Sequence, residues 1–80
     1  MKVYNAVTAR INSLCIERGL TMNGLANLCG LPTSTLKSII YGASKNPGIA
    51  TIKIICDGLE ITLAEFFSSP EFDGLEPEID

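Results

Sequence analysis

The sequence contains no histidine and no tryptophan, and only three of its 80 residues are cysteines. Histidine is the commonest general base and a frequent zinc ligand, so its absence removes most catalytic and metal-binding arrangements. The cysteines (Cys15, Cys29 and Cys56) are far apart and include no Cys-x-x-Cys pair. No glycine-rich phosphate loop is present either. We therefore expect no enzyme, no metal site and no cofactor, and three cysteines that serve as small buried hydrophobic residues.

Long apolar runs are also lacking. The longest apolar region, residues 49–61, is interrupted by Lys53, Asp57, Gly58 and Glu60, whereas a membrane-spanning helix needs about 20 mostly apolar residues. Residues 1–10 have no continuous apolar core of the kind found in secretory signal peptides. We expect a cytoplasmic protein without a membrane partner.

Cations are missing from the last third of the chain, and the net charge of −3 hides this division. Residues 1–56 contain all six Lys and Arg against Glu17 alone, which gives +5, whereas residues 57–80 contain the other eight acidic residues, which gives −8. The acidic end also contains Pro70 and Pro77. We predict a domain over residues 1–69, suited to an anionic partner, and a loose acidic tail over residues 70–80. Lys2, Arg10 and Arg18 are expected to be ordinary solvated charges.

The apolar residues recur at helical spacing and predict an all-α domain of five short helices. The first runs from Val3 to Arg18 and ends at Gly19. Thr21 is placed to cap the second helix, which ends at Gly30.

The remaining helices are predicted in the same way. Pro32 suits the start of the third helix, and the segment Thr62-Leu63-Ala64-Glu65 fits a capping box at the start of the fifth. The fourth helix is rich in isoleucine, but its 3-4 spacing favours a helix over a strand, with an apolar face of Ile49, Ile52, Ile55, Cys56 and Leu59.

The second and third helices have the spacing of a helix-turn-helix. Ala26 is small enough for the two helices to approach closely, and Gly30 allows a tight left-handed turn. Leu31, Leu36 and Ile39 hold the third helix against the core. Such a unit presents its third helix outward, towards a DNA major groove.

With these residues the sequence resembles the lambda-repressor-like (Xre/Cro) family of DNA-binding domains. The resemblance extends from about Ile11 to Phe67 and is strongest in GLTMNGLANLCGLPTSTLKSIIYGASKNP and DGLEITLAEFF. It implies a five-helix lambda-repressor-like bundle followed here by the acidic tail.

Three departures from the family pattern are visible. Met22 replaces a glutamine that touches a phosphate, and Asn23-Gly24 replaces a frequent glutamate. Cys15 and Ile40 replace an arginine–glutamate pair, an exchange of a buried ion pair for apolar contact that is often neutral or stabilising. We expect Cys15 and Ile40 to pack against each other.

The resemblance also indicates which residues would contact DNA. It matches Thr33, Ser34 and Ser38 to base-contacting positions and places Lys37 nearby. It matches three further residues to positions beside the sugar-phosphate backbone: Tyr41, Lys45 and Asn46.

The leading function is a sequence-specific transcriptional regulator of the Xre type, with its third helix in the major groove. Its expected partner is double-stranded DNA with a palindromic operator, bound by a homodimer, at least on DNA. We expect Phe66 or Phe67 to lie at the dimer contact, although both rings could instead close the monomer core. The alternative is a protein-interaction module on the same fold with weak or no DNA binding, for example an antitoxin-like partner. The acidic tail could also compete with phosphate for Lys37 and Lys45, or simply aid solubility.

Overall fold

Five α-helices follow one another along the chain and are joined by short turns. The computed structural model describes residues 1–42 and 46–79. Its helices are α1 (Val3–Arg18), α2 (Met22–Cys29), α3 (Thr33–Ile40), α4 (Ile49–Leu59) and α5 (Leu63–Phe67), followed by a short 3-10 helix, Pro70–Phe72. These two ranges contain no β-strand, which confirms the predicted all-α, five-helix class. None of the described helices is long and apolar enough to cross a membrane.

The helix ends follow the local signals in the sequence. Gly19 and Gly30 close α1 and α2 in the left-handed conformation, with φ of 65° and 67°. The Thr21 hydroxyl accepts a hydrogen bond from the Gly24 N–H at 3.0 Å and caps α2. Thr62 and Glu65 form both bonds of the predicted capping box, at 3.0 and 2.9 Å. Each bond satisfies a backbone N–H that a helix start otherwise leaves unpaired.

Each helix contributes at least one fully buried side chain to a common core: Ile11, Leu25, Leu36, Ile55 and Phe66. The burial of Phe66 places that ring inside the monomer and not at a dimer contact. Phe67 is half-buried and stays a candidate for the dimer contact.

Two predictions about apolar side chains need correction. Ile49 is 62% exposed, so the buried face of α4 begins at Ile52. Only Cys56 is fully buried among the cysteines, whereas Cys15 and Cys29 are half-buried.

Arg10 links α1 to the carboxyl end of α5. Its Nε donates to the Phe66 carbonyl and its Nη2 donates to the Glu65 carbonyl, both at 2.8 Å. The expectation that Arg10 is an ordinary solvated charge is therefore wrong. A planar guanidinium can reach two neighbouring carbonyls at the end of a helix at once, and the Glu65 carbonyl also accepts from the Ser68 N–H at 3.3 Å.

The acidic segment after α5 lies against the body of the protein. Phe72 packs against Phe67, with ring centroids 4.9 Å apart. Beyond it, the Lys2 ammonium donates to the Pro77 carbonyl at 2.6 Å, and the Glu78 carboxylate accepts from the Val3 N–H at 3.2 Å. This position differs from the loose tail predicted, because one aromatic ring anchors an otherwise acidic segment and a carboxylate is favourable at a helix N-terminus.

Candidate nucleic-acid interface

The turn between α2 and α3 fixes the direction of α3. Gly30 adopts its left-handed conformation there, and the Leu31 N–H donates to the Ala26 carbonyl at 3.1 Å. Ala26 is 2% exposed, so this small residue is buried in the core. Leu36 and Ile39 are buried and hold one side of α3 on the core. The opposite side of α3 is therefore left free.

This free side of α3 carries most of the predicted DNA-contacting residues. Ser34, Lys37 and Tyr41 are exposed, and Thr33 and Ser38 are half-buried at its edges. Their spacing of three to four residues brings them onto one helical face. Asn46 is also exposed and lies just before α4. Lys45 lies outside the described residues.

Hydrogen bonds fix two of the hydroxyl groups on this face. The Thr33 hydroxyl donates to Asn23 Oδ1 at 3.2 Å, which joins the start of α3 to α2. The Ser38 hydroxyl donates to the Ser34 carbonyl one turn earlier at 3.1 Å. The free side of α3 is thus tied to α2 and to its own backbone.

A shallow depression of about 230 Å³ separates α3 from the start of α4. Ser38 and Asn46, which were predicted separately, both line it. Thr35 and Thr51 add hydroxyl groups that the sequence interpretation missed. Thr35 could have been predicted from the sequence, because it lies three residues before Ser38 on the same helix. Thr51 could not, because only the fold brings α4 to this depression. These polar side chains are of the kind that contacts DNA phosphates and sugars.

The electrostatic character of this side follows from a long stretch without acidic residues. No Asp or Glu occurs between Glu17 and Asp57, a stretch that includes all of α2 and α3. Lys37 is exposed on α3, whereas Lys53 forms an ion pair with Asp57 one turn along α4. The carboxylates that give the chain its net negative charge therefore lie outside α2 and α3 in sequence, and Lys37 is the only charged side chain within these two helices.

Two of the three departures from the family pattern meet in a neighbouring apolar groove. Cys15, Met22 and Ile40 all line this groove of about 350 Å³ between α1, α2 and α3. Met22 packs against the core. Cys15 and Ile40 face the same groove, although a direct contact between them stays a prediction.

The cysteines have the character of unreactive thiols. Burial raises the pKa of the Cys15, Cys29 and Cys56 thiols above their ordinary value, and the Asp57 carboxylate adds to this effect at Cys56. Within the described residues no group of three or more Cys, Asp or Glu side chains is placed to hold a metal ion.

Known proteins share this arrangement. The model of the Cro/C1-type helix-turn-helix DNA-binding domain family matches residues 10–71. Among solved structures, the prophage Lp1 protein 11 is 34% identical, with a TM-score of 0.79 over 94% of this chain and 100% of that one. An HTH_3 family transcriptional regulator from Vibrio cholerae is 31% identical, with a TM-score of 0.76 over 85% of this chain.

The present chain spans only 38% of the Vibrio cholerae protein. A search of curated protein sequences finds no similar protein. The matching family consists of DNA-binding domains and not of enzymes, which confirms the expected non-enzymatic character. Because the match covers α2, α3 and α4 completely, this chain belongs to the Cro/C1-type helix-turn-helix DNA-binding domain family.

Proposed function

We propose that the chain is a sequence-specific transcriptional regulator of the Xre type that inserts α3 into the DNA major groove. The observation that carries this proposal is the exposed polar side of α3, held outward by Leu36 and Ile39 within a region free of acidic residues. A major groove about 12 Å wide admits an α-helix. The family membership of the chain supports the same function.

Each residue of the interface has a proposed role. Thr33, Ser34 and Ser38 contact base edges, because a helix in the groove points this side at them. Lys37 reaches guanine or a phosphate. The backbone is contacted by three residues near the end of α3 and the start of α4, Tyr41, Lys45 and Asn46.

The proposed target is a palindromic operator bound by a homodimer, at least on DNA. Half-sites one helical turn apart would match the two-fold symmetry of such a dimer. Ile49 and Ile54 on α4 are exposed by 62% and 39%, and Phe67 is half-buried. These apolar side chains are available for a contact between protomers on DNA.

Fluorescence anisotropy with a random duplex at about 50 mM salt tests the proposal, since phosphate-driven binding is strong under that condition. We expect the wild-type chain to bind and Lys37→Ala to weaken binding. Lys53→Ala is the matched control, because it also removes one cation but from an ion pair on α4. No binding by the folded wild-type chain, or equal losses in both variants, would contradict the proposed use of α3.

The second candidate is a protein-interaction module without useful DNA affinity. The apolar groove beside α1 favours it, because Ile16 on its rim is 81% exposed and exposed apolar surface marks many interaction sites. The same anisotropy assay separates the candidates. A folded chain that leaves the duplex free at 50 mM salt would support the module.

A further inference from the structure

Two hydroxyl groups on the DNA-facing side of α3 already donate their hydrogens within the protein. Thr33 donates to Asn23 Oδ1 at 3.2 Å, and Ser38 donates to the Ser34 carbonyl at 3.1 Å. A hydroxyl has a single hydrogen and two lone pairs. In this conformation both groups therefore offer only acceptor positions to an incoming ligand.

For either hydroxyl, accepting a hydrogen bond from a base is more favourable than donating one to it. Accepting a hydrogen bond from the base adds a bond and breaks none. Donating to the base requires the existing bond to Asn23 or to the Ser34 carbonyl to break first, so one bond replaces another and little is gained. The existing bonds also polarise the hydroxyl oxygens, which makes each of them a better acceptor.

We infer that Thr33 and Ser38 select bases that present an exocyclic amino group in the major groove. Adenine N6 and cytosine N4 are donors there, whereas guanine O6 and N7 and thymine O4 are acceptors. The two hydroxyls therefore favour adenine or cytosine on the strand they contact and disfavour guanine and thymine. This inference rests on the proposed function and specifies the chemistry of its target.

The neighbouring residues of α3 provide a contrast. Within residues 1–42 and 46–79 the Ser34 hydroxyl makes no hydrogen bond, so it is free to donate or to accept. Lys37 is a donor only and suits guanine or phosphate oxygens. A half-site read by this helix would thus combine fixed preferences from Thr33 and Ser38 with a tolerant position at Ser34.

Asn23 acts in this scheme as a positioning residue, because it engages the hydrogen of Thr33 without facing the base itself. Asn23→Ala frees that hydrogen and should relax the preference at the base read by Thr33, while the preference at the base read by Ser38 persists. Asn23→Asp keeps an acceptor oxygen and should keep the preference, although its charge lowers overall affinity. Asn23 is exposed on α2, so neither variant disturbs the core.

The experiment begins by selecting bound sites from a randomised duplex library with the full chain. In the best site, each adenine is then replaced by purine, and each cytosine by 2-pyrimidinone, to remove one amino group at a time. The Kd of each duplex is measured for the wild type, Thr33→Val and Ser38→Ala. Such a cycle separates a lost protein contact from weakened base pairing, which affects all proteins equally.

We expect one amino deletion to weaken wild-type binding about three- to tenfold, the range for a single hydrogen bond. Thr33→Val should bind the duplex with this deletion as tightly as it binds the unmodified duplex, because the contact is already lost. A second amino deletion should be coupled in the same way to Ser38→Ala. The control is 7-deazaadenine or 7-deazaguanine, which keeps the exocyclic group but removes the N7 acceptor, and it should be coupled to neither variant.

The possible outcomes separate a failure of this inference from a failure of the proposed DNA-binding function. Specific binding in which no amino deletion is coupled to Thr33→Val or Ser38→Ala would overturn the inference alone. Coupling of the 7-deazaadenine or 7-deazaguanine replacement to either variant would overturn it too, since it would show that hydroxyl to be a donor. Failure of the wild-type chain to bind any duplex would overturn the proposed function and the inference together.

Discussion

Gly58 lies on α4 where this helix crosses α2. A Cβ atom at this position would be 2.6 Å from the Cys29 sulphur and 3.1 Å from the Cys29 Cα. The Cys29 thiol in turn faces the Ile55 carbonyl at 3.9 Å. The absence of a side chain at Gly58 thus allows α2, the first helix of the helix-turn-helix, to lie directly on α4.

Gly58→Ala should lower the free energy of unfolding by up to about 2 kcal/mol, the difference between the cost of overpacking and the gain in helix propensity. Alanine gains about 1 kcal/mol in helix propensity, but overpacking at this distance costs about 1–3 kcal/mol because backbone atoms must move. Urea denaturation measures the difference. Cys29→Ala in the same chain should restore part of the loss, since it removes the sulphur but leaves the Cα.

Gly24→Ala on α2 is the matched control. A Cβ there would be 3.3 Å from the Thr21 hydroxyl oxygen and 3.6 Å from a Leu20 methyl group, so only side-chain atoms need to adjust. We expect a change within about 0.5 kcal/mol of zero, or a small gain from helix propensity. Equal losses in Gly24→Ala and Gly58→Ala would refute the argument from close helix packing.

The cysteine thiols should react slowly at neutral pH. Burial raises the pKa of Cys15, Cys29 and Cys56, and only the thiolate is an effective nucleophile. Iodoacetamide labelling of the folded chain should therefore be slower than labelling of the urea-unfolded chain at pH 7.5. The rate for Cys15, which is half-buried, should rise about tenfold per pH unit and level off only above the raised pKa. Labelling as fast as in the unfolded chain at pH 7.5 would show that these thiols are not shielded.

At the scale of helices, Arg10 holds α5 against α1 through its two bonds to carbonyl oxygens. Arg10→Met should lower the free energy of unfolding by about 1–3 kcal/mol, because hydrogen bonds from charged groups are among the stronger ones but this side chain is partly hydrated. Arg10→Lys should recover only part of this loss, because an ammonium lacks the two-pronged geometry. Arg18→Met, at the exposed end of α1, is the control and should change stability by less than about 0.5 kcal/mol.

The helix limits were largely predictable because caps are local signals. Gly19, Gly30, Thr21 and the Thr62–Glu65 pair each act within a few residues of the helix end that they fix. The path of residues 70–79 was not predictable in this way. It depends on Phe72 meeting aromatic rings of α5 and on Lys2 meeting a carbonyl 75 residues away.

The candidate interface was predictable only as far as the family pattern and helical spacing allow. These place Ser34, Lys37 and Tyr41 on one exposed side of α3. Neither indicates that Asn23 holds the Thr33 hydroxyl or that Thr51 and Ser38 line one depression, because both features depend on how separate helices are oriented.

For the whole molecule, the weak positive charge of the interface limits the electrostatic part of binding. If each protomer neutralises two or three phosphates, log K should fall against log salt with a slope of about −2 to −3 per monomer. Lys37→Ala should make this slope shallower by about one, and Lys53→Ala should leave it unchanged. A slope near −8 would show that the basic surface lies elsewhere.

The acidic segment after α5 provides the last prediction. Phe72 and the bond from Lys2 to the Pro77 carbonyl hold this segment beside the start of α1, where Glu78 accepts from the Val3 N–H. The carboxylates of Glu76, which pairs with the Met1 amino group at 3.0 Å, and of Glu78 are thus engaged at that site and not at Lys37. Exposed charges are screened within about 8 Å at 0.15 M salt.

A chain truncated after Phe72 keeps the aromatic anchor and should therefore bind a duplex with the same Kd as the full chain at 150 mM salt. At 20 mM salt the truncated chain should bind modestly tighter, because unscreened repulsion from the removed carboxylates is then lost. Anisotropy titrations at both salt concentrations provide the measurement. Tighter binding of the truncated chain at 150 mM salt would mean that the acidic segment leaves α1 and competes with phosphate, and that it acts as an autoinhibitor of α3.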